Sequence, residues 1–497
     1  MQLIHKLKKG ALLFMDQAKQ ELKLQKRKER EARELVSIDK RMNKANRFLK
    51  LFFLTVIIVT IIYIVDEIAS NMDSKLRTFV IFDLIQTGAT TINNPVYDAA
   101  VSSMNIATIP IYVLFFFLPL YKMLADRWGR KLFLVLNTIG MGLGMLLCMV
   151  AQHYIVYLIG FVIVAFFTPN DAQVIYILEV SPEKHRAKIC SITKGIALLS
   201  VSLIGVLKNA FYDPNDLSSW RLVFLIPVIL AFVIGTSAIF LTTETPVWLR
   251  QRREYLLKTD EEREEDKKKA QEDKTKSGGI KGAFNYIIHN KQLRWICIIL
   301  LIFQIAVGVV GYENETMGAG VQPDNFNNLF HIIEPIVYAV FAFFSGFLSD
   351  WLGRKKSCIL FGAVGVAGEI GFILTAKFMP YSIAQTIMMS CFNGLLYGGL
   401  WSLSDCLFLV MPSESTPTKI RASVGGLITY TGGVGKIIGL LVGSLFTFIG
   451  AGNIGFLQLG TFIPSILVSC VLLAIKVKET KGIDMDRVEE ELEKAEL

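Results

Sequence analysis

The chain has 497 residues, 53% of them hydrophobic, a net charge of +9 and a mean hydropathy of +0.47. A soluble chain would not carry so many apolar runs of bilayer length, and the basic residues lie beside those runs, so the charge reads as membrane orientation and not as a nucleic-acid partner. The seven cysteines fall in or beside the runs without paired spacing and read as small buried residues, neither disulfides nor metal ligands.

Residues 1–47 form a charge-dense lead with Leu22, Leu24 and Leu35 scattered among Lys, Arg and Glu. The pattern predicts a solvated or surface-lying cytoplasmic helix, with a regulatory or partner-binding arm as the alternative. Its apolar stretch, 11–15, is too short for a cleavable signal peptide. About twelve apolar runs follow, near 48–70, 101–121, 132–151, 154–178, 189–207, 222–242, 293–312, 328–347, 357–377, 383–409, 424–449 and 455–476. Each approaches the roughly 20 residues that cross a bilayer. They predict an all-α integral membrane protein with two pseudo-symmetric six-helix halves, 48–249 and 293–476. A cytoplasmic linker joins them over 250–292, and a cytoplasmic tail covers 477–497.

Lys and Arg concentrate in 1–50, 122–131, 184–194, 250–295, 353–356 and 419–421, whereas 209–219 and 312–327 carry acids and almost no bases. An even number of spans then puts both termini in the cytoplasm, with the cell membrane as the expected location. Three signals repeat in order. Leu124-Ala125-Asp126-Arg127-Trp128-Gly129-Arg130-Lys131 returns as Leu348-Ser349-Asp350-Trp351-Leu352-Gly353-Arg354-Lys355. Glu179 with Pro182 and Arg186 returns as Glu414 with Pro417 and Arg421, and Glu244-Thr245 returns as Glu479-Thr480, both at an offset of about 235 residues. Two similar halves facing the same way can build a solute path between them.

These elements resemble the major facilitator superfamily, and within it the sugar-porter and organic-ion branches. Residues 176–182 with Arg186 look like the sugar-porter element after the fourth helix, and Thr243-Glu244-Thr245-Pro246-Val247-Trp248-Leu249 like the one after the sixth. Residues 414–421 and Glu479-Thr480-Lys481-Gly482 resemble the elements after helices ten and twelve. Lys122, Trp351, Val247 and Lys478 depart from the usual pattern. The resemblance implies a cytoplasmic gating network of Asp126, Arg127, Arg130, Glu179, Arg186 and Glu244 in the first half. Asp350, Arg354, Glu414, Arg421 and Glu479 are the matching set in the second. Such groups pair across helices and can act as a latch that parts when the carrier opens inward. The alternative is that they only pin loops to the membrane surface.

Ionisable residues inside spans are costly and need a reason. Asp66 and Glu67 lie late in span one, where the resemblance implies a proton site, unless the span ends at Val65 and both are wet. Asp171 and Asp405 are near repeat-mates about two turns from the cytoplasmic end. Lys194 and Lys436 stand where sugar porters place polar sugar contacts. Two cations would attract an anion, unless each neutralises a nearby acid such as Asp171 or Asp405. Of the helix-seven sugar contacts only Gln304 and Gly308 match. His331 and Glu334, one turn apart, form a second proton-coupling candidate, and Asn393 and Trp401 are cavity-lining candidates. Asn314-Glu315-Thr316 fits a glycosylation sequon.

No phosphate-cradling Gly-rich loop and no nucleophile–base set or metal cluster appears, so neither direct ATP coupling nor an enzyme is expected, and no cofactor is implied. The expected function is secondary active transport of a small polar organic solute by alternating access, proton-coupled, with a weak preference for an organic anion. A sugar transporter and a non-transporting, carrier-shaped receptor are the alternatives.

Overall fold

A computed structural model describes residues 2–49, 52–85, 128–168, 172–181, 186–266, 279–310, 329–416, 421–449 and 454–481, with single positions between them. In chain order the first half and its flanks are α1 (Gln2–Leu49), α2 (Phe52–Leu84), α3 (Arg130–Met149), α4 (Tyr154–Phe167), α5 (Ala172–Val180), α6 (Arg186–Ser200), α7 (Ser202–Phe211), α8 (Leu225–Leu241), α9 (Pro246–Leu257) and α10 (Gly279–His289). The second half is α11 (Lys291–Val310), α12 (His331–Leu352), α13 (Arg354–Phe378), α14 (Ile383–Asp405), α15 (Met411–Glu414), α16 (Arg421–Ile449) and α17 (Ile454–Lys476). Eleven spans among the described residues are long and apolar enough to cross a membrane. They match the predicted runs, apart from 101–121, which lies mostly outside the described residues.

Helices are what this composition allows in lipid, because each satisfies its own backbone groups. Their outward faces carry Phe53, Phe240, Leu445 and Ile475, all exposed. Water would penalise that surface, whereas acyl chains accept it. Glycines let spans approach closely: a Cβ at Gly308 on α11 would stand 2.7 Å from the Gly439 Cα on α16.

α2 corrects the predicted end of span one. The charges after residue 70 suggested exit from the membrane, yet the helix continues to Leu84 with Asp73, Lys75 and Arg77 buried. Those groups find partners inside the protein, so the helix need not end.

The duplicated basic loops close at Gly129 and Gly353, with φ of 110° and 92°. A Cβ at Gly353 would lie 2.6 Å from Glu479 Oε2, and one at Gly129 would overlap the Glu244 carboxylate. Left-handed backbone against a carboxylate requires glycine at both.

The apolar core is divided unevenly. At the end away from the basic loops one cluster joins Leu76 and Phe79 of the first half to Phe330, Tyr338, Phe372 and Met389 of the second. At the basic-loop end the halves keep separate clusters, one around Ile62, Leu134 and Tyr176, the other around Leu403, Leu407 and Leu473. α12 packs against α6 and α7 across the divide.

The lead is one long helix docked on α9. Ile38, Leu35 and Met42 pack on Trp248, Leu249 and Leu256. Arg252 bonds Glu34 at 2.8 Å, Arg253 bonds Asp39 at 3.0 Å, and Arg263 bonds Glu31 at 3.0 Å.

Candidate transport pathway

At the far end the halves meet through buried charge. Lys75 Nζ on α2 donates to Glu334 Oε2 on α12 at 2.6 Å, with the side chains 5% and 1% exposed. Glu334 Oε1 accepts from Asn393 Nδ2 on α14 at 3.1 Å. Lys208 Nζ on α7 donates to the Lys75 carbonyl at 2.8 Å and meets His331 Nδ1 at 2.7 Å. The direction of the Lys208–His331 bond depends on the ring tautomer. Asn314 Nδ2 extends the network to Glu369 Oε2 at 2.9 Å and Asn393 Oδ1 at 3.0 Å. On the other side of α2, Asp73 takes Arg77 at 2.5 Å and Tyr157 Oη at 2.9 Å. Removing one member of such a buried pair costs about 3–5 kcal/mol, because the other charge is stranded. Backbone packing completes the seal: a Cβ at Gly205 on α7 would stand 2.8 Å from the His331 carbonyl carbon.

Nearer the basic loops a cavity of about 550 Å³ opens between the halves, lined by Lys194, Leu198, Phe343, Phe347, Asp350 and Asp405. Lys194 Nζ bonds Asp405 Oδ2 at 2.9 Å across it, with side chains 43% and 51% exposed. Solvent screening limits such a pair to about 0–1 kcal/mol. Lys194 and Lys208 lie on consecutive helices of one span, about 21 Å apart along its axis. The halves are therefore bound firmly at the far end and loosely at this one.

The other predicted solute contacts are placed as follows. Gln304 Nε2 on α11 reaches Ser404 Oγ at 3.5 Å. Lys436 Nζ on α16 donates to the Val307 carbonyl at 3.3 Å and has no carboxylate partner among the described residues. Trp401 packs edge-on against Tyr338 and at a tilt to Tyr397, with ring centroids 4.7 and 5.8 Å away. Asn393 belongs to the far-end seal. Asp66 is buried and accepts from Gln173 Nε2 at 2.9 Å, and Glu67 is half-buried, so span one does not end at Val65. Asp171 lies outside the described residues.

The gating residues form two matching clips. Glu244 Oε1 accepts the backbone N–H of Arg130, Lys131 and Thr245, at 2.7, 3.1 and 3.1 Å. Arg130 pairs with Glu179 at 3.1 Å, and Thr245 Oγ1 donates to Glu179 at 2.5 Å. In the second half Glu479 Oε1 accepts the N–H of Arg354, Thr480 and Lys481 at 2.8, 3.1 and 3.0 Å. Arg354 pairs with Glu414 at 3.0 Å and with Asp350 at 2.6 Å. Each of these bonds stays within its own half and is formed while the far end is closed. Asp126, Arg127 and the side chains of Arg186 and Arg421 lie outside the described residues.

The structure thus gathers His331, Glu334 and Asn393 into one network, Lys194 and Asp405 into another, and keeps Lys436 and Gln304 apart from both. Lys75, Lys208, Asp73 and Arg77 were missed in the sequence. The Asp73/Arg77 spacing of four was the available sign. The sequon is corrected: Asn314 is wholly buried and bonded, so its amide is not available for glycosylation.

The family model of the Major Facilitator Superfamily matches residues 46–439. The chain belongs to the major facilitator superfamily. This superfamily member is accordingly a multi-pass integral membrane transporter and not an enzyme. It is similar to a protein named "Probable polyol transporter 4" from Arabidopsis thaliana, 24% identical over 73% of each chain. A "Probable metabolite transport protein" of Bacillus subtilis is also 24% identical, over 74% of this chain and 82% of its own. Among solved structures, the inward open xylose transporter XylE of E. coli has a TM-score of 0.65 at 16% identity, covering 88% of this chain and 99% of its own. A D-xylose-proton symporter has a TM-score of 0.63 at 17% identity, covering 87% and 99%. These structural likenesses concern the fold.

Proposed function

We propose that this transporter moves a small polar organic solute by alternating access, coupled to protons, with the basic loops on the cytoplasmic side of a cell membrane. The observation that carries this reading is the unequal closure. A buried, charge-bonded seal with a shared apolar core stands at the far end, and a cavity of about 550 Å³ with separate cores stands at the other. That is the geometry of a carrier facing its basic-loop side. The two clips keep each half rigid, so that the halves rock as bodies.

The solute preference rests on Lys436. Lys194 is paired with Asp405, whereas Lys436 has no carboxylate partner among the described residues and would gain one from a carboxylate or phosphate solute. A polyhydroxylated solute is the second reading, favoured by the names of the polyol and xylose relatives. A thermal-shift screen of the purified protein against polyols, sugars and carboxylates selects the ligand. Counterflow of that ligand in proteoliposomes then separates a carrier, which exchanges it, from a receptor, which does not. Lys436→Gln should lower carboxylate exchange by about tenfold or more while sparing polyols, the loss of one charged contact. Undiminished carboxylate exchange in that variant makes the lysine structural and leaves the polyol reading standing.

A further inference from the structure

Glu334 is held by both halves at once, through Lys75 of the first and Asn393 of the second. The charged and titratable groups around it come from every neighbouring helix. Lys75 and the Asp73–Arg77 pair lie on α2, Tyr157 on α4 and Lys208 on α7. His331 precedes it by one turn on α12, and Glu369 on α13 is reached through Asn314 and Asn393. The far side cannot open unless Lys75 and Glu334 part, because they belong to halves that must separate.

We propose that Glu334 is the proton-binding site of the transport cycle, ionised while Lys75 seals the far side and protonated while that side is open. The proposal rests on the proton-coupled reading above and gives the proton a place. When the halves part, the carboxylate loses the Lys75 ammonium but stays on α12 beside Asn393, one turn from buried Phe330 and Tyr338, apolar surroundings that disfavour the ionised form. It takes a proton from entering water: an O–H bond forms at Oε2 and a hydronium becomes water. Closure returns the Lys75 ammonium, which favours the carboxylate. The O–H bond breaks, and the proton crosses the roughly two turns of α12 between Glu334 and the cavity wall at Ala342 to reach water on the basic-loop side. Lys75 keeps its own proton throughout. Asp66, another buried carboxylate, bonds Gln173 within its own half, a contact that opening need not break.

The full chain in proteoliposomes tests this with the ligand that shows counterflow. Two rates are read: exchange without a gradient, and accumulation driven by acid on the far side. The wild type should show both. In Glu334→Gln the exchange that remains should lose its pH dependence, and driven accumulation should fall about tenfold or more relative to that exchange. Where that variant strands Lys75 and fails to fold, Lys75→Gln combined with Glu334→Gln removes both charges and should behave in the same way. Full accumulation by either variant overturns the site and leaves the carrier reading intact. Loss of exchange in the paired variant makes the ion pair structural and also overturns it. A wild type that exchanges but never accumulates under a pH gradient defeats the proton-coupled reading, and the proposal with it.

Discussion

Glu244 Oε1 and Glu479 Oε1 each accept three backbone N–H groups behind a left-handed glycine, yet their carboxyls shift in opposite directions. Burial pushes Glu244 above the usual carboxylate value, over the opposing pull of those N–H groups. At Glu479 burial also raises it, but the N–H groups of Lys481, Arg354, Lys355 and Thr480 outweigh it and hold the carboxyl low. A folded-state value below the unfolded one stabilises the fold above the unfolded value and ceases to do so as pH falls through the folded one. Glu479→Gln should therefore lower the thermal midpoint at neutral pH, by the equivalent of about 1 kcal/mol at this exposed position. The deficit should vanish in acid. A deficit that is the same at pH 3 and pH 7 would contradict the assignment. The Gly, Glu and Arg positions of these clips were legible in the sequence at matched spacing, whereas the expected latch does not describe their bonds, which close within each half while the basic-loop side is open. Lys75 and Lys208 were not legible. A cation at the end of an apolar run reads as an exit from the membrane, and the partners of these two lie 259 and 123 positions away in the chain.

At the scale of elements, α1 shows what a compositional reading overlooks. The lead is charge-dense, which suggested a solvated helix. Leu35, Ile38 and Met42 nevertheless stand three and four apart, one face of a helix, and that face is buried on α9. Arg252, Arg253 and Arg263 then meet Glu34, Asp39 and Glu31 along the flanks. Ile38→Asp should undock α1, since it places a charge where the side chain is 2% exposed. Hydrogen exchange over residues 30–42 and 246–257 should speed up about tenfold or more, equivalent to at least about 1.4 kcal/mol of lost protection. Unchanged protection in both segments would mean that the helix does not rest there in solution.

For the whole molecule, two similar halves followed from the repeated loops. Which end is closed did not, because it depends on contacts between halves that share no local pattern. Gly205 marks the closure, with the His331 backbone where its side chain would be. Gly205→Val should prevent the far end from shutting, cut exchange about tenfold or more, and make a cysteine placed at Leu76 accessible to a membrane-impermeant maleimide. Exchange at the wild-type rate would show that the halves do not approach here during the cycle.

The length of α2 has a consequence for the surroundings of this seal. At 33 residues it extends about 50 Å, well beyond a hydrocarbon layer of about 30 Å. Lys75 stands about 34 Å from its start, at the depth of the phospholipid headgroups. Glu334 would then draw its proton from interfacial water at the level of the headgroups. The leaflet beside the gate becomes part of its chemistry.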